Sequence, residues 1–381
     1  MNFFETIINY IKETYTDRLV YFPSNIRVSL LIILFCAIAV LELYIYIAFR
    51  RLHQASQNRE LKNWKEHIDN MLANLIIFDE SEETDDIVAH FYPKMKKLPL
   101  RNSVVNKVLI SEMLTYHRNF TGQIQEVLSI LYRKLGLDKK SKRKINNKNW
   151  EIKIEGIREA NEMRITEMAD EIIKYTDDEN ALLRMEAQAA YIKLSEKDPF
   201  HFLDRAQERI LDWHQVVLFE IITKNKQLTI PPFSKWLRSP NDTVVMLCLK
   251  LVDHFMQFDA ADEVERLLKH HNPRIVKKSV EIIGKLELSD AEKNMFEVYF
   301  DQPEDIKLEI LNSIGKISSG NYNDFLASRI YSPDIKVKRE AFYAIKRDPN
   351  NGEDKLREIY KQTTLENQAI INHVLDNRIK S

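Results

Sequence analysis

The chain has 381 residues, with 56 Lys and Arg against 57 Asp and Glu for a net charge of −1, so no overall basic field holds a nucleic acid across its surface. Only 7 glycines and 11 prolines leave little material for phosphate-cradling loops or tight β-turns, and the abundance of Lys, Glu, Leu and Ile is that of a mostly helical protein. Two cysteines, Cys36 and Cys248, cannot build a disulfide framework.

Residues 1–27 read as an extracytoplasmic amphipathic segment. Phe3, Phe4, Ile7, Ile8, Ile11, Tyr15 and Leu19 recur at helical spacing with Glu5, Lys12, Glu13 and Asp17 between them, as in a helix lying in a membrane interface. Val28 to Phe49 (VSLLIILFCAIAVLELYIYIAF) follows, 22 residues with one charge. At 1.5 Å per residue it covers about 33 Å, against a hydrocarbon core of about 30 Å. A cleaved signal peptide has a shorter apolar run and an A-x-A-like site after it, so the expectation is a single transmembrane helix over 28–49. Arg50, Arg51, Arg59, Lys62 and Lys65 follow the run, whereas Lys12, Arg18 and Arg27 precede it. The positive-inside rule then puts the N-terminus outside and the remainder in the cytoplasm, as in a bacterial inner membrane. Glu42 is the one acid inside the run and must find a partner or stay protonated. Eight residues from Arg50, it either snorkels to the interface or contacts a partner helix.

Residues 50–132 form a juxtamembrane helical region. Glu60 to Phe78 has a helical pattern through Leu61, Trp64, Ile68, Leu72, Leu75 and Ile76, Asp79 to Asp86 is an acidic turn, and Leu100 to Arg133 makes two helices broken near Asn119 to Gly122. The region either caps the array that follows or folds as a helical domain of its own. Residues 133–149 hold eight basic residues and one acid and read as a basic linker. Lys139, Lys140, Lys142, Arg143 and Lys144 are candidates there to contact anionic lipid or an acidic partner, at about 1 kcal/mol each close to a charged membrane.

From residue 150 to 363 the sequence repeats. Helix-period motifs start at Ile152 (IKIEGIREA), Leu183 (LRMEAQAAY), Trp213 (WHQVVLFEI), Val244 (VVMLCLKLV), Ile275 (IVKKSVEIIGKL), Ile306 (IKLEILNSIGKI) and Val337 (VKREAFYAI), at intervals of 31, 30, 31, 31, 31 and 31. Apolar or small residues four, five and eight places after each start share one helix face; Glu186 is the departure. A shorter second helix follows in each period, as at Asp259 to His270, Ser289 to Phe300 and Tyr322 to Ile330, and Pro240, Pro273, Pro303 and Pro333 mark the turn into the next unit. A helix pair of this size cannot bury its own stripe, so the units must stack into one core. Residues 364–381 break the period and read as a C-terminal capping helix. The fold class expected is all-α: a transmembrane helix, a helical cap and an α-solenoid of about seven helix pairs.

Asn272 to Leu286 (NPRIVKKSVEIIGKL), Pro303 to Ile317 (PEDIKLEILNSIGKI) and Asp334 to Ile345 (DIKVKREAFYAI) resemble HEAT repeats. They are most similar to the short HEAT-like units of phycobilisome lyases, the period being below the roughly 40 to 47 residues of long units. The resemblance runs from about Trp150 to the C-terminus. It implies a right-handed α-solenoid that binds proteins along its concave face, and no particular activity. In such a solenoid the second helices line the concave side. There Lys235 and Arg266 share one repeat position and Arg238 and Lys269 another, a candidate basic ridge for docking an acidic segment.

Some HEAT-like proteins are iron-dependent hydroxylases with His-Glu dyads, but none of the 10 histidines here is followed by Glu. His270 and His271 adjoin a turn with no carboxylate or cysteine at ligand spacing. Cys248 sits on an apolar stripe as core, and there is no G-x-x-x-x-G-K, G-x-S-x-G or H-E-x-x-H. Expected, then, are no catalytic residues, no metal, no cofactor, no nucleic acid and no small-molecule substrate. The function expected is a membrane-anchored cytosolic scaffold that binds a protein partner along the solenoid, in an envelope-associated complex. The alternatives are an accessory subunit of a membrane enzyme acting through Glu42 and the membrane helix, and a HEAT-like lyase or other enzyme.

Overall fold

The computed structural model describes residues 23–76, 83–348, 351–376 and 378. The amphipathic segment expected before residue 23 and the first half of the acidic turn lie outside them. The protein is all-α, with no strand among the described residues, and it divides into two units, Met1–Leu135 and Gly136–Ser381.

In the first unit, helix α1 (Ser24–Ile76) runs unbroken for 53 residues, about 80 Å. Its apolar part, Leu31–Arg51, has a mean hydropathy of 2.6, is long and apolar enough to cross a membrane, and buries nothing against the rest of the chain. The helix at 60–78 expected as a separate element is the far end of α1. No Gly or Pro stands between Arg50 and Arg59 to end the helix. Past that point the character of α1 changes: Ile68, Leu72 and Leu75 are buried where α1 packs on α3 (Ser103–Asn119). Tyr116 of α3 donates to Asp69 of α1 at 2.7 Å, and Lys65 pairs with the buried Glu112 at 3.3 Å. Helix α2 (Thr84–Lys96) starts with Asp85 and Asp86 in its first turn, where carboxylates favour the helix dipole. It packs on α4 (Gln123–Lys134), which also meets α3. The break between α3 and α4 falls as expected, at Gly122, whose φ of +72° suits a residue without Cβ.

The second unit begins with a correction. The stretch 133–149, expected as a linker, contains helix α5 (Leu137–Ile145) packed on α6 (Trp150–Glu162). Its cations crowd one side, while Leu137, Ser141 and Ile145 are fully buried on the other. Gly156 of α6 makes the contact close: a Cβ there would stand 2.7 Å from the Ile145 nitrogen.

The long helices then follow at the expected period: α7 (Ala181–Leu194), α8 (Asp212–Lys224), α9 (Asp242–Phe255), α10 (Pro273–Lys285), α11 (Glu304–Ile317) and α12 (Ile335–Lys346). Each packs against the next from α6 to α12, and α12 also packs against α13 (Gly352–Gln362) and α14 (Leu365–Leu375). Shorter helical segments, among them Phe233–Arg238, Ala261–Arg266, Glu292–Val298 and Asn323–Arg329, pack on the long helix that follows.

Three features recur with the period. The N-caps of α6, α7, α9, α10 and α12 are Asn149, Asn180, Asn241, Asn272 and Asp334, each accepting from the backbone N–H two residues on. Each stands three residues before its motif start. By that rule α8, capped by Leu211, starts its motif at His214 and not at Trp213. Burial agrees, since His214, Gln215, Leu218 and Ile222 are buried while Trp213 is 50% exposed. Arg164, Met256, Glu287 and Ser318, twelve residues after their motif starts, end their helices at φ between 50° and 52°, a conformation that costs a side-chain-bearing residue free energy. Gly284 and Gly315 share one position where neighbouring helices touch. A Cβ on Gly284 would meet Ser313 Oγ at 2.5 Å, and one on Gly315 would meet the Ala344 Cα at 2.5 Å.

Gly315→Ala therefore forces α11 and α12 apart, and urea unfolding should show a loss of about 2 kcal/mol, the usual cost of overpacking. Adding Ala344→Gly should restore part of it. An unchanged midpoint for Gly315→Ala would show that the helices do not approach so closely.

Candidate functional site

The basic ridge exists in sequence but not as free charge. Lys235 pairs with Asp204 at 2.8 Å and lies over the Trp236 ring. Arg238 of one short segment and Arg266 of the next both bond Glu263, at 2.8 and 3.0 Å, and Arg266 also donates to the Leu237 carbonyl at 3.0 Å. The Arg238 hydrogen bond, with Arg266 beside it, holds the Glu263 carboxyl below its ordinary range. Only Lys269 of the four is exposed with no ion-pair partner among the described residues. Lys235, Arg238 and Arg266 thus join neighbouring units through Asp204, Glu263 and the Leu237 carbonyl.

The basic helix α5 is likewise partly spent inward. Lys144 pairs with Glu155 at 2.8 Å and with Glu159, and Glu159, 2% exposed, also accepts from Ser141 at 2.8 Å. Lys142 pairs with Glu171 at 3.2 Å. Lys140 is half-buried, and burial, with Arg143 and Lys144 nearby, pulls its ammonium below the ordinary lysine range. Lys139 and Arg143 remain exposed. Glu42 lies on the exposed surface of the apolar part of α1.

The structure adds a carboxylate that sequence spacing missed. Asp242, at the start of α9, stands 3.7 Å from His270 Nε2 and 3.4 Å from His271 Nε2. The three have ligand atoms close enough for a metal ion, but the hydrogen bonds oppose one. The Asn272 backbone N–H donates to His270 Nδ1 at 3.1 Å, so the neutral ring carries its proton on Nε2, the atom a metal would need. A metal-bound imidazole instead donates from its other nitrogen. The Asn272 side chain also donates to Asp242 at 2.7 Å, completing a helix-start network. In a second cluster, Asp198, His201 and Asp204, the Asp204 carboxylate is occupied by Lys235 and the Trp236 indole N–H. Cys248 is fully buried, and burial pushes its thiol up, away from the nucleophilic thiolate.

The surface that sequence reasoning missed follows from the corrected register of α8. With His214 as the motif start, Trp213 falls one place before it, as Leu182 does in α7, and Val216 falls two places after, as Met185 does in α7 and Met246 in α9. Leu182 is 48%, Trp213 50% and Val216 60% exposed; Met185 and Met246 are half-buried. The corresponding positions in α10 and α12 are Arg274 with Lys277 and Lys336 with Arg339. Apolar side chains thus recur at these positions on three consecutive packed helices, with Thr243 before Met246 in α9, while α11 carries Asp305 with Leu308. Their signal in the sequence is the single 30-residue interval, which moves to the next gap once Asn and Asp caps set the register.

No family model and no curated protein matches the sequence. Among solved structures, the crystal structure of an engineered protein is similar over 82% of this chain and 94% of its own, at 12% identity and a TM-score of 0.32. A likeness at that TM-score says nothing about this fold.

One buried group gives the second unit a pH dependence. His214 has no hydrogen-bond partner for Nε2 among the described residues; burial, with the Arg184 charge beside it, pushes its imidazole from 6.5 to about 4. Between those values the unfolded chain binds a proton that the folded chain does not. Its contribution is complete above pH 6.5 and is lost as the pH falls toward 4, amounting to about 2 kcal/mol at pH 5. Urea unfolding at pH 7.5 and 5 should show this difference, and His214→Leu should remove most of it. An equally steep acid loss in that variant would assign the effect elsewhere.

Proposed function

We propose that the chain is a membrane-anchored scaffold that docks a protein partner through the patch formed by Leu182, Met185, Trp213, Val216 and Met246. In this reading α1 crosses the bilayer once with the N-terminus outside, at a bacterial inner membrane, and the second unit is a cytoplasmic HEAT-like solenoid. The observation that carries it is the in-register exposure of large apolar side chains on consecutive helices. Contiguous exposed apolar patches mark interaction sites, and an exposed tryptophan among aliphatic neighbours is the residue type that dominates binding energy at interfaces. The apolar segment of α1 and the Arg and Lys residues that follow it support the anchor and its direction. The order of packing, each long helix on the next, supports a stacked array.

The test uses the full chain purified from its own membranes in mild detergent. Leu182→Ser with Trp213→Ser and Val216→Ser removes side chains that are about half exposed, so the thermal unfolding midpoint should fall less than for fully buried apolar residues while the chain stays folded. The same variant should lose the protein that co-purifies stoichiometrically with the wild type, while Lys235→Gln with Arg266→Gln should keep it. Retention of that protein by the triple serine variant would overturn the docking patch, and release of the chain from membranes by alkaline carbonate would overturn the anchor.

A further inference from the structure

Glu42 is the twelfth residue of the 21-residue apolar segment Leu31–Arg51, about 16 Å along the helix from one end and about 13 Å from the other. If α1 spans a bilayer, as the reading above holds, this places Glu42 inside the apolar segment, about 12 Å along the helix from Arg50. A carboxyl group in hydrocarbon is costly unless its polar atoms find a hydrogen-bond partner. Glu42 is exposed, no described residue donates to it, and α1 is the one helix among the described residues long and apolar enough to cross. A second chain can supply the partner that none of the described residues supplies.

The face around Glu42 has the form of a helix–helix seam. Ile32, Phe35, Ala39, Glu42, Tyr46 and Phe49 follow one another at alternating steps of three and four, the period that keeps one face against a parallel neighbour. Ala39, one turn before Glu42, is the small residue that lets a second backbone come close.

We propose that this seam meets the same seam of a second copy of the chain, so that two Glu42 side chains face each other within the bilayer and hydrogen-bond to one another. A second copy satisfies the requirement without further conditions. It inserts in the same direction because it carries the same Arg and Lys asymmetry, and symmetry brings its Glu42 to the same depth. An unrelated helix would need a donor or cation at that depth by separate provision.

The experiment measures energy transfer between donor-tagged and acceptor-tagged full-length chains in liposomes as the protein-to-lipid ratio is lowered, with insertion read separately by resistance to alkaline extraction. Wild type should associate. Glu42→Ala should weaken association at least fivefold, and Glu42→Gln, which keeps a donor and an acceptor, should retain most of it. Leu41→Glu with Glu42→Leu, which turns the carboxyl about 100° off the seam, should behave like Glu42→Ala. Inserted chains that stay monomeric at every ratio, or association unchanged in Glu42→Ala, would overturn the pairing and leave the membrane anchor standing. Failure to insert would overturn both.

Discussion

The apolar stripe on each long helix of the second unit is covered by the next helix in the series, and nearly every other feature of that unit follows from this one contact. A helix of about a dozen residues is marginal alone, so each element exists because its neighbour does. The backbones have to approach closely to exclude water, which is why Gly284 and Gly315 stand where Ser313 and Ala344 come nearest. The charges obey the same constraint. Arg158 with Glu186, Lys235 with Asp204, Arg238 with Glu263, Lys278 with Asp253 and Lys338 with Glu366 each tie one unit to its neighbour. Single exposed pairs of this kind contribute little stability.

The near balance of acid and base in the composition therefore has a local meaning. Several cations that look available in one unit are answered by carboxylates about one period away, as Lys235 is by Asp204 and Arg238 by Glu263. Leu182, Trp213 and Val216 are among the large apolar side chains that this pairing leaves about half exposed.

Periodicity made the helices, their spacing and their inward faces legible, because burial on one side of a helix leaves a trace in every turn. The failures have separate physical causes. Trp213 is more apolar than His214 and drew the register to itself, although a buried neutral histidine fills the inward position in α8; the asparagine caps would have shown this. Lys and Arg dominated the reading of 133–149, while Leu137, Ser141 and Ile145, spaced as one helix face, were the better guide. Asp242 and Glu263 act on His270, His271 and Arg238, 25 to 29 positions away, a distance over which sequence carries the period but not which side chains touch. The left-handed turns at Arg164, Met256, Glu287 and Ser318 left no trace at all, since none carries the glycine that usually marks them.

Helix α1 joins an apolar segment to a packed one with no break in between. A flexible tether would transmit only tension, whereas a continuous helix also transmits rotation and fixes phase. Turning the apolar end about its axis turns Ile68, Leu72 and Leu75 with it, together with the α3 side chains packed on them. One residue added between Arg51 and Arg59 would swing the two ends by about 100° relative to each other, while seven would bring them back to within about 20°. The length of this segment is thus constrained modulo the helical repeat, so chains that differ there by whole turns keep the same handed relation between the two ends, and chains that differ by one or two residues do not.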